Sequence, residues 1–175
     1  LPWQKRTLPA ERSADAAAAR EKALDLLTGR DFACQELYER LCRRFTEEAA
    51  ASAVAAMVGL GYLDDARYAA MKARILLAEH KSRRAAADVL RRKGLEKSLI
   101  ADTLEALYAR EEGEPDADVL AAAALVKKQY RRKLAEGRAD LVIAALARRG
   151  FSYGTAKAAL ALAGAKPEDE TDFDW

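Results

Sequence analysis

Leu41-Cys42-Arg43-Arg44-Phe45, Leu90-Arg91-Arg92-Lys93-Gly94-Leu95 and Leu146-Ala147-Arg148-Arg149-Gly150-Phe151 are three copies of one pattern. Each reads as a helix end, a basic pair or triplet, then an apolar residue that opens the next helix. The third and fourth positions are basic in every copy, and Val54, Leu104 and Leu160 lie nine residues beyond the apolar opener. The copies sit 49 residues apart (Leu41 to Leu90) and 56 apart (Leu90 to Leu146). A period in that range marks tandem supersecondary units that bury their apolar faces on one another. Such an array offers one long surface and no deep pocket, which favours binding over catalysis. One irregular helical bundle is the plainer alternative.

Composition agrees with an all-α reading. Of the 175 residues 51% are hydrophobic, with Ala prominent among them, while Gly (9) and Pro (4) are sparse. Strand-like runs of Val, Ile, Thr and aromatics are absent. No apolar stretch approaches the roughly 18 residues that span a bilayer, and no secretory signal pattern appears. A cytoplasmic location is the expectation. Cys34 and Cys42, eight apart on one expected helix, would lie about 12 Å from each other, too far to bridge. Two free thiols suit a reducing compartment. His80 is the single histidine and no CxxC spacing occurs, so neither a metal site nor any other cofactor is expected.

The net charge of +2 conceals a gradient. Residues 1–63 are balanced, 64–113 carry net +2, 114–166 net +5, and the last nine net −5. A basic C-terminal half ahead of an acidic end points to an anionic partner.

Along the chain, residues 1–14 read as a flexible arm with two prolines and no helical period. Helices are expected from Asp15 to Gly29, Ala33 to Arg44 and Thr46 to Gly59 or Gly61. Others run from Asp64 through Leu76, Ser82 to Gly94, and Glu96 to Arg110. After the linker Glu111–Pro115 come Asp116–Leu134, Arg138–Arg149 and Ser152–Ala163. Thr46 and Ser82 are good N-caps. The array is then three three-helix repeats, 15–63, 64–113 and 114–165, followed by a disordered acidic tail, 166–175. It is expected to be elongated, curved and monomeric.

The most specific string is Gly61-Tyr62-Leu63-Asp64-Asp65-Ala66-Arg67-Tyr68-Ala69. Gly61 permits the left-handed turn that ends a helix, and Leu63 can pack back on it. Asp64 and Asp65 cap or neutralise the next N-terminus, and Tyr68 can bury its ring. As a carboxylate pair for catalysis or metal, Asp64-Asp65 lacks any supporting ligand nearby. The string resembles the signature of the RecX family, regulators of the RecA recombinase. Leu90 to Leu95, with Gly94, is similar to a later family segment, and Ala23 to Leu41 to its opening. Ala33 stands where the family usually has a capping Ser, so Asp31 is the expected substitute cap. Phe45 follows Arg44 with no Gly between, and His80-Lys81-Ser82 replaces a Gly-rich turn.

The resemblance implies a non-enzymatic modulator, most simply an inhibitor, that binds the groove of the RecA–single-stranded-DNA filament in DNA repair and the SOS response. Two alternatives stay open: a helical-repeat DNA-binding protein acting without RecA, and a general protein-interaction scaffold.

The candidate contact residues are basic. Arg67 and Arg74 lie in the helix after the signature. Arg83, Arg84, Arg91, Arg92 and Lys93 crowd a stretch holding one acid, Asp88. On a helical wheel Arg84 and Arg91 fall opposite Ala86, Val89 and Leu90. Lys127, Lys128, Arg131 and Arg132 form a third group, and Arg148 and Arg149 close the last copy of the junction. For any one arginine a solvated helix face is the plainer reading; clustering is what favours contact. Tyr130, inside the third group, reads as a packing residue or as a platform for a base.

Overall fold

The computed structural model describes residues 11–109 and 113–164. They are helical, with no β-strand among the described residues and one isolated bridge, Ser13 with Phe45. The helices are α1 (Ala16–Gly29), α2 (Cys34–Leu41), α3 (Glu47–Gly59), α4 (Asp65–Ala78), α5 (Arg83–Arg92) and α6 (Lys97–Tyr108). Then follow α7 (Ala117–Leu125), a π-helical turn (Val126–Tyr130), α8 (Arg131–Ala135), α9 (Ala139–Arg148) and α10 (Tyr153–Leu162). An all-α fold was expected, and an all-α fold is found. The described residues divide into two compact bodies, residues 11–69 with 92–96, and residues 70–91 with 97–164.

In the first body α1, α2 and α3 pack on one another. Asp15 accepts from the amides of Ala17 and Ala18, and Thr46 Oγ1 from Ala49, so both helices start on side-chain caps as their sequences dictate. The core is narrow at α1 and α3, where Ala19, Ala23, Ala49, Ala50 and Ala53 let the backbones approach; Leu37, Leu41, Phe45, Met57 and Leu63 fill the rest. Helix α2 is shorter than its periodicity predicts. It stops at Leu41 because the amides of Arg44 and Phe45 both turn back to the Leu41 carbonyl. Phe45 thereby enters the core, and Ser13 bonds to both sides of it, donating to Arg44 O and accepting from Thr46 N.

In the second body α10 packs on α7 and α9. Its core holds Ala121, Ala122, Leu125, Val126, Val142, Leu146, Phe151, Ala156 and Leu160. Ser152 caps α10 through Thr155 N, at 3.0 Å. His80 ends α4 in the left-handed region at φ 58°, where Lys81 N closes back on Leu76 O. His80 thus adopts a glycine-like conformation, which histidine tolerates better than branched residues do. The π turn was not foreseen. Nothing in Val-Lys-Lys-Gln-Tyr punctuates a helix, and the extra residue per turn appears only in how the helix packs.

The three junction copies occupy matching places. Leu41, Leu90 and Leu146 are buried, as are Phe45, Leu95 and Phe151. The basic residues between them face outward for that reason, with Arg43, Arg44, Arg91, Arg92, Arg148 and Arg149 exposed or nearly so.

Candidate functional site

The candidate site begins at the start of α2 and at the start of α5, which are held by the same kind of joint. In the first body, Asp64 caps its own helix by accepting from Arg67 N, at 2.9 Å. Asp65, one residue on, reaches the amide of Cys34 at 2.8 Å, the first residue of α2. In the second body, Asp116 caps its own helix through Asp118 N, and Asp118 accepts from the amide of Arg83 at 2.7 Å, the first residue of α5. One carboxylate of each pair serves its own helix and the other serves a helix more than 30 residues earlier. The cap on α2 is therefore Asp65, not Asp31; Ala33 offers no side-chain bond. The echo of Asp64-Asp65 in Asp116-x-Asp118 was present in the sequence.

A left-handed glycine completes each joint. Gly94 (φ +80°) lies so close to α2 that a Cβ there would sit 2.3 Å from Gln35 Cβ. Gly150 (φ +89°) lies against the start of α5, where a Cβ would meet Ser82 Oγ at 2.8 Å and Arg84 Cβ at 3.7 Å. Ser82 is fully buried; it accepts from Ala85 N and donates to Arg149 O, at 3.1 and 2.9 Å. Tyr108 donates to Lys81 O at 3.1 Å beside it. Burial pushes the Tyr108 hydroxyl up to about 12 and the Cys34 thiol, next to Asp65, up to about 11. Cys34 is thus an unreactive packing residue.

The joints differ in what they do with the cation before the glycine. Lys93 Nζ lies 2.6 Å from Glu36 Oε1, which also binds Arg30 at 3.0 Å, while Arg30 stacks 3.7 Å above Phe32. Lys93 is therefore committed to an internal ion pair. Burial raises the Glu36 carboxyl, but the hydrogen bonds from Arg30 and Lys93 outweigh it and hold the group below its ordinary value. A depressed carboxylate stabilises the fold above its unfolded pKa, and that stabilisation is lost as pH falls through the folded value. Glu36→Gln should therefore lower the melting temperature at about neutral pH, and the gap from wild type should close as pH falls through the lowered folded value of Glu36, where wild type loses the same charge. Paired thermal melts across that range check this. Asp118 has the opposite sign. Burial raises it, against the Arg83 amide bond, so its cost is present above the folded pKa and is relieved as pH falls from there towards the lower unfolded value.

Arg149 is the counterpart of Lys93 but meets no carboxylate among the described residues. Its guanidinium donates to the neutral Gln129 Oε1 at 2.9 Å and lies 5.9 Å from the centre of the Tyr130 ring, as does Lys133 Nζ. Tyr130 packs against the C-terminal core. The second body thus brings Arg149 to the Lys127–Lys133 run, which the sequence keeps apart from it, with the Gly150 turn against Arg84. A surface depression of about 510 Å³ on this side is lined by Lys127, Lys128, Gln129, Arg131, Arg132 and Ala135.

The remaining candidates are placed singly. Arg67 is exposed and folds back on the carbonyls of Gly61 and Tyr62, at 3.4 Å each, so it trims the signature turn. Arg74, Arg83, Arg84 and Arg92 are exposed. Arg91 pairs with Asp88 and Arg132 with Glu136, both at solvent-exposed positions where such pairs hold a side chain weakly. In the signature, Leu63 and Tyr68 are buried and Tyr62 is exposed. Among the described residues no group of His, Cys, Asp and Glu could hold a metal ion.

No family model matches the chain. Over 63 residues, 35% of its length, it is 44% identical to the curated protein "Regulatory protein RecX" of Vibrio cholerae serotype O1, in strains M66-2 and ATCC 39315 / El Tor Inaba N16961. That match spans 41% of each relative's length. The fold matches the crystal structure of RecX from Lactobacillus salivarius with a TM-score of 0.71 at 18% identity, covering 85% of this chain and 96% of that one. A second solved structure, a regulatory protein RecX, matches with a TM-score of 0.69 at 23% identity, covering 86% and 72%. The chain is thus similar in sequence to a regulatory protein RecX over that segment and similar in fold to solved RecX structures over most of its length.

Proposed function

We propose that this chain is a RecX-type regulatory protein, without catalytic activity of its own, that binds the RecA–single-stranded-DNA filament and restrains the recombinase. The observation that carries the reading is the 44% identity over 63 residues to a regulatory protein RecX, supported by the fold likeness over most of the chain. The chain is read as three repeats, 15–63, 64–113 and 114–165, and the twice-used joint of a reaching aspartate and a left-handed glycine supports that division. Its contact surface is read as the exposed cations Arg74, Arg83, Arg84, Arg91, Arg92, Arg148 and Arg149 together with the Lys127–Arg132 group. Each makes a weak contact alone, and an extended array sums them. Lys93 and Arg67 drop out of that surface in favour of structural roles. The protein acts as a monomer in the cytoplasm; among the described residues no helix is long and apolar enough to cross a membrane.

The test is RecA ATPase activity on single-stranded DNA with increasing amounts of this protein. Suppressed hydrolysis, with release of RecA from the strand, is the expected result. Unchanged hydrolysis at excess protein that still binds naked DNA would move the chain to an independent DNA-binding role. Neither effect would leave a protein-interaction scaffold.

A further inference from the structure

We propose that the acidic segment following α10, Glu168-Asp169, docks on the start of α9 and caps it, closing the last joint of the chain from within. Residues 165–175 lie outside the described residues; what singles them out as the occupant is the pair of joints already filled.

The first observation is an open joint. Asp65 holds the amide of Cys34, the first residue of α2, and Asp118 holds that of Arg83, the first residue of α5. Each acid arrives just after the next helix, α3 or α6. Helix α9 ends in the third copy of the junction, as α2 and α5 end in the first two, and α10 follows it. Yet no side chain caps α9 among the described residues, and its first amide, that of Ala139, has no such acceptor. Asp140 sits in the same turn without bonding to these amides. The residue ahead of each helix records the same contrast. Ala33 and Ser82 are fully buried, whereas Arg138 is exposed and, among the described residues, pairs with no carboxylate.

The second observation is spacing. A left-handed glycine follows each of α3, α6 and α10: Gly61 at φ +75°, Gly113 at φ +90° and Gly164 at φ +88°. The reaching acid lies four residues beyond the first, at Asp65, and five beyond the second, at Asp118. Glu168 and Asp169 lie four and five beyond the third. Counted from the amide it holds, the acid is 31 residues on for Cys34 and 35 for Arg83. From Ala139 to Asp169 the count is 30. Because α10 packs on α9 as α3 packs on α2, a loop of the same length spans the same gap.

The third observation is charge. The last nine residues hold five acids and no base, against net +5 over residues 114–166. Charge attraction alone reaches only about 8–10 Å at physiological salt. The start of α9 adds direction, because unsatisfied amides and the positive end of the helix dipole favour a carboxylate there. A second copy of the chain is a poorer occupant. Asp15 caps its own helix, and the next two residues, Ala16 and Ala17, are where the later helices carry the reaching acid. The first unit therefore has no acid with which to fill another chain's open joint.

The experiment uses the full chain, isotope-labelled for NMR, without recombinase or nucleic acid. Glu168→Gln/Asp169→Asn is compared with Asp172→Asn/Asp174→Asn, which removes the same charge farther along. In the first variant the Ala139 amide should change its chemical shift and exchange with solvent about fivefold faster, the loss of one cap. The second variant should match wild type. A helical spectrum equal to that of wild type confirms that the fold is kept in both. Equal changes in the two variants would reduce the segment to diffuse attraction and overturn the cap, as would no change in either. An Ala139 shift that depends on protein concentration would place a second copy in the joint and overturn the intramolecular assignment. Because no RecA is present, failure here and failure of the filament reading are separate results.

Discussion

Gly94→Ala should destabilise the first body by roughly 2–5 kcal/mol, the largest effect expected of any glycine-to-alanine change in the chain. Two costs add. The left-handed conformation at φ +80° costs an alanine roughly 1–2 kcal/mol. The new Cβ would then lie 2.3 Å from Gln35 Cβ and 2.4 Å from Gln35 Cγ, a distance no side-chain rotation relieves because Cβ is fixed to the α2 backbone. Relief requires the Gly94 turn to move off α2, which strains the 2.6 Å Lys93–Glu36 pair on the neighbouring residues. Gly137→Ala is the internal control. Gly137 has a similar φ of +72° with nothing within 4 Å of its missing Cβ, so it should show the conformational cost alone. The discriminating background is Gln35→Gly, which removes the obstructing atoms at a helix-propensity cost of about 1 kcal/mol. In that background Gly94→Ala should cost no more than Gly137→Ala. Chemical denaturation of the four variants measures this. Equal losses at Gly94 and Gly137 in the wild-type background would show that the turn is not wedged against α2.

The same joint explains which parts of the fold could be read from sequence. Helix starts at Thr46, Ser82 and Ser152 were legible because a cap acts within three residues, and the sequence states both partners side by side. The junction pattern was legible because a buried Leu, two outward cations and a buried apolar residue recur at matching offsets. Asp65 on Cys34 and Asp118 on Arg83 could not be placed by the same logic, since each partner lies 31 or 35 residues away. For the same reason the sequence places Lys93 among the surface cations: its partner Glu36 is 57 residues earlier. The missing glycine at the first junction has a structural reading as well. In the other two copies the glycine makes room against an earlier helix, α2 for Gly94 and α5 for Gly150. Between Arg44 and Phe45 the chain instead pairs with Ser13, in extended backbone that needs no glycine. The π turn belongs to a different class, because Val126–Tyr130 has ordinary helix-forming residues and its register shift is set by packing.

Ser82→Ala should cost the second body roughly 2–4 kcal/mol, more than removal of an ordinary helix cap. The hydroxyl does two jobs with no access to solvent. It accepts from Ala85 N, in the first turn of α5, and it donates to Arg149 O, at the turn that ends α9. Loss of the cap alone is worth about 1 kcal/mol. Loss of the donor leaves a carbonyl without its partner at a position water does not reach, adding about 1–3 kcal/mol. Ser82→Gly separates the two, since glycine at a cap position costs only a few tenths of a kcal/mol relative to serine while the stranded carbonyl remains. It should therefore recover only the smaller part of the loss. Gly150 supplies the coupling test. Its absent Cβ would meet the Ser82 oxygen at 2.8 Å, so Gly150→Ala should cost less in the Ser82→Ala background than in wild type, with conformational strain at φ +89° left as the remainder. Strict additivity of the two substitutions would show that the serine and the glycine do not share one contact. If they are coupled, the orientation of Arg149 depends on that contact, because its own carbonyl is the group Ser82 holds.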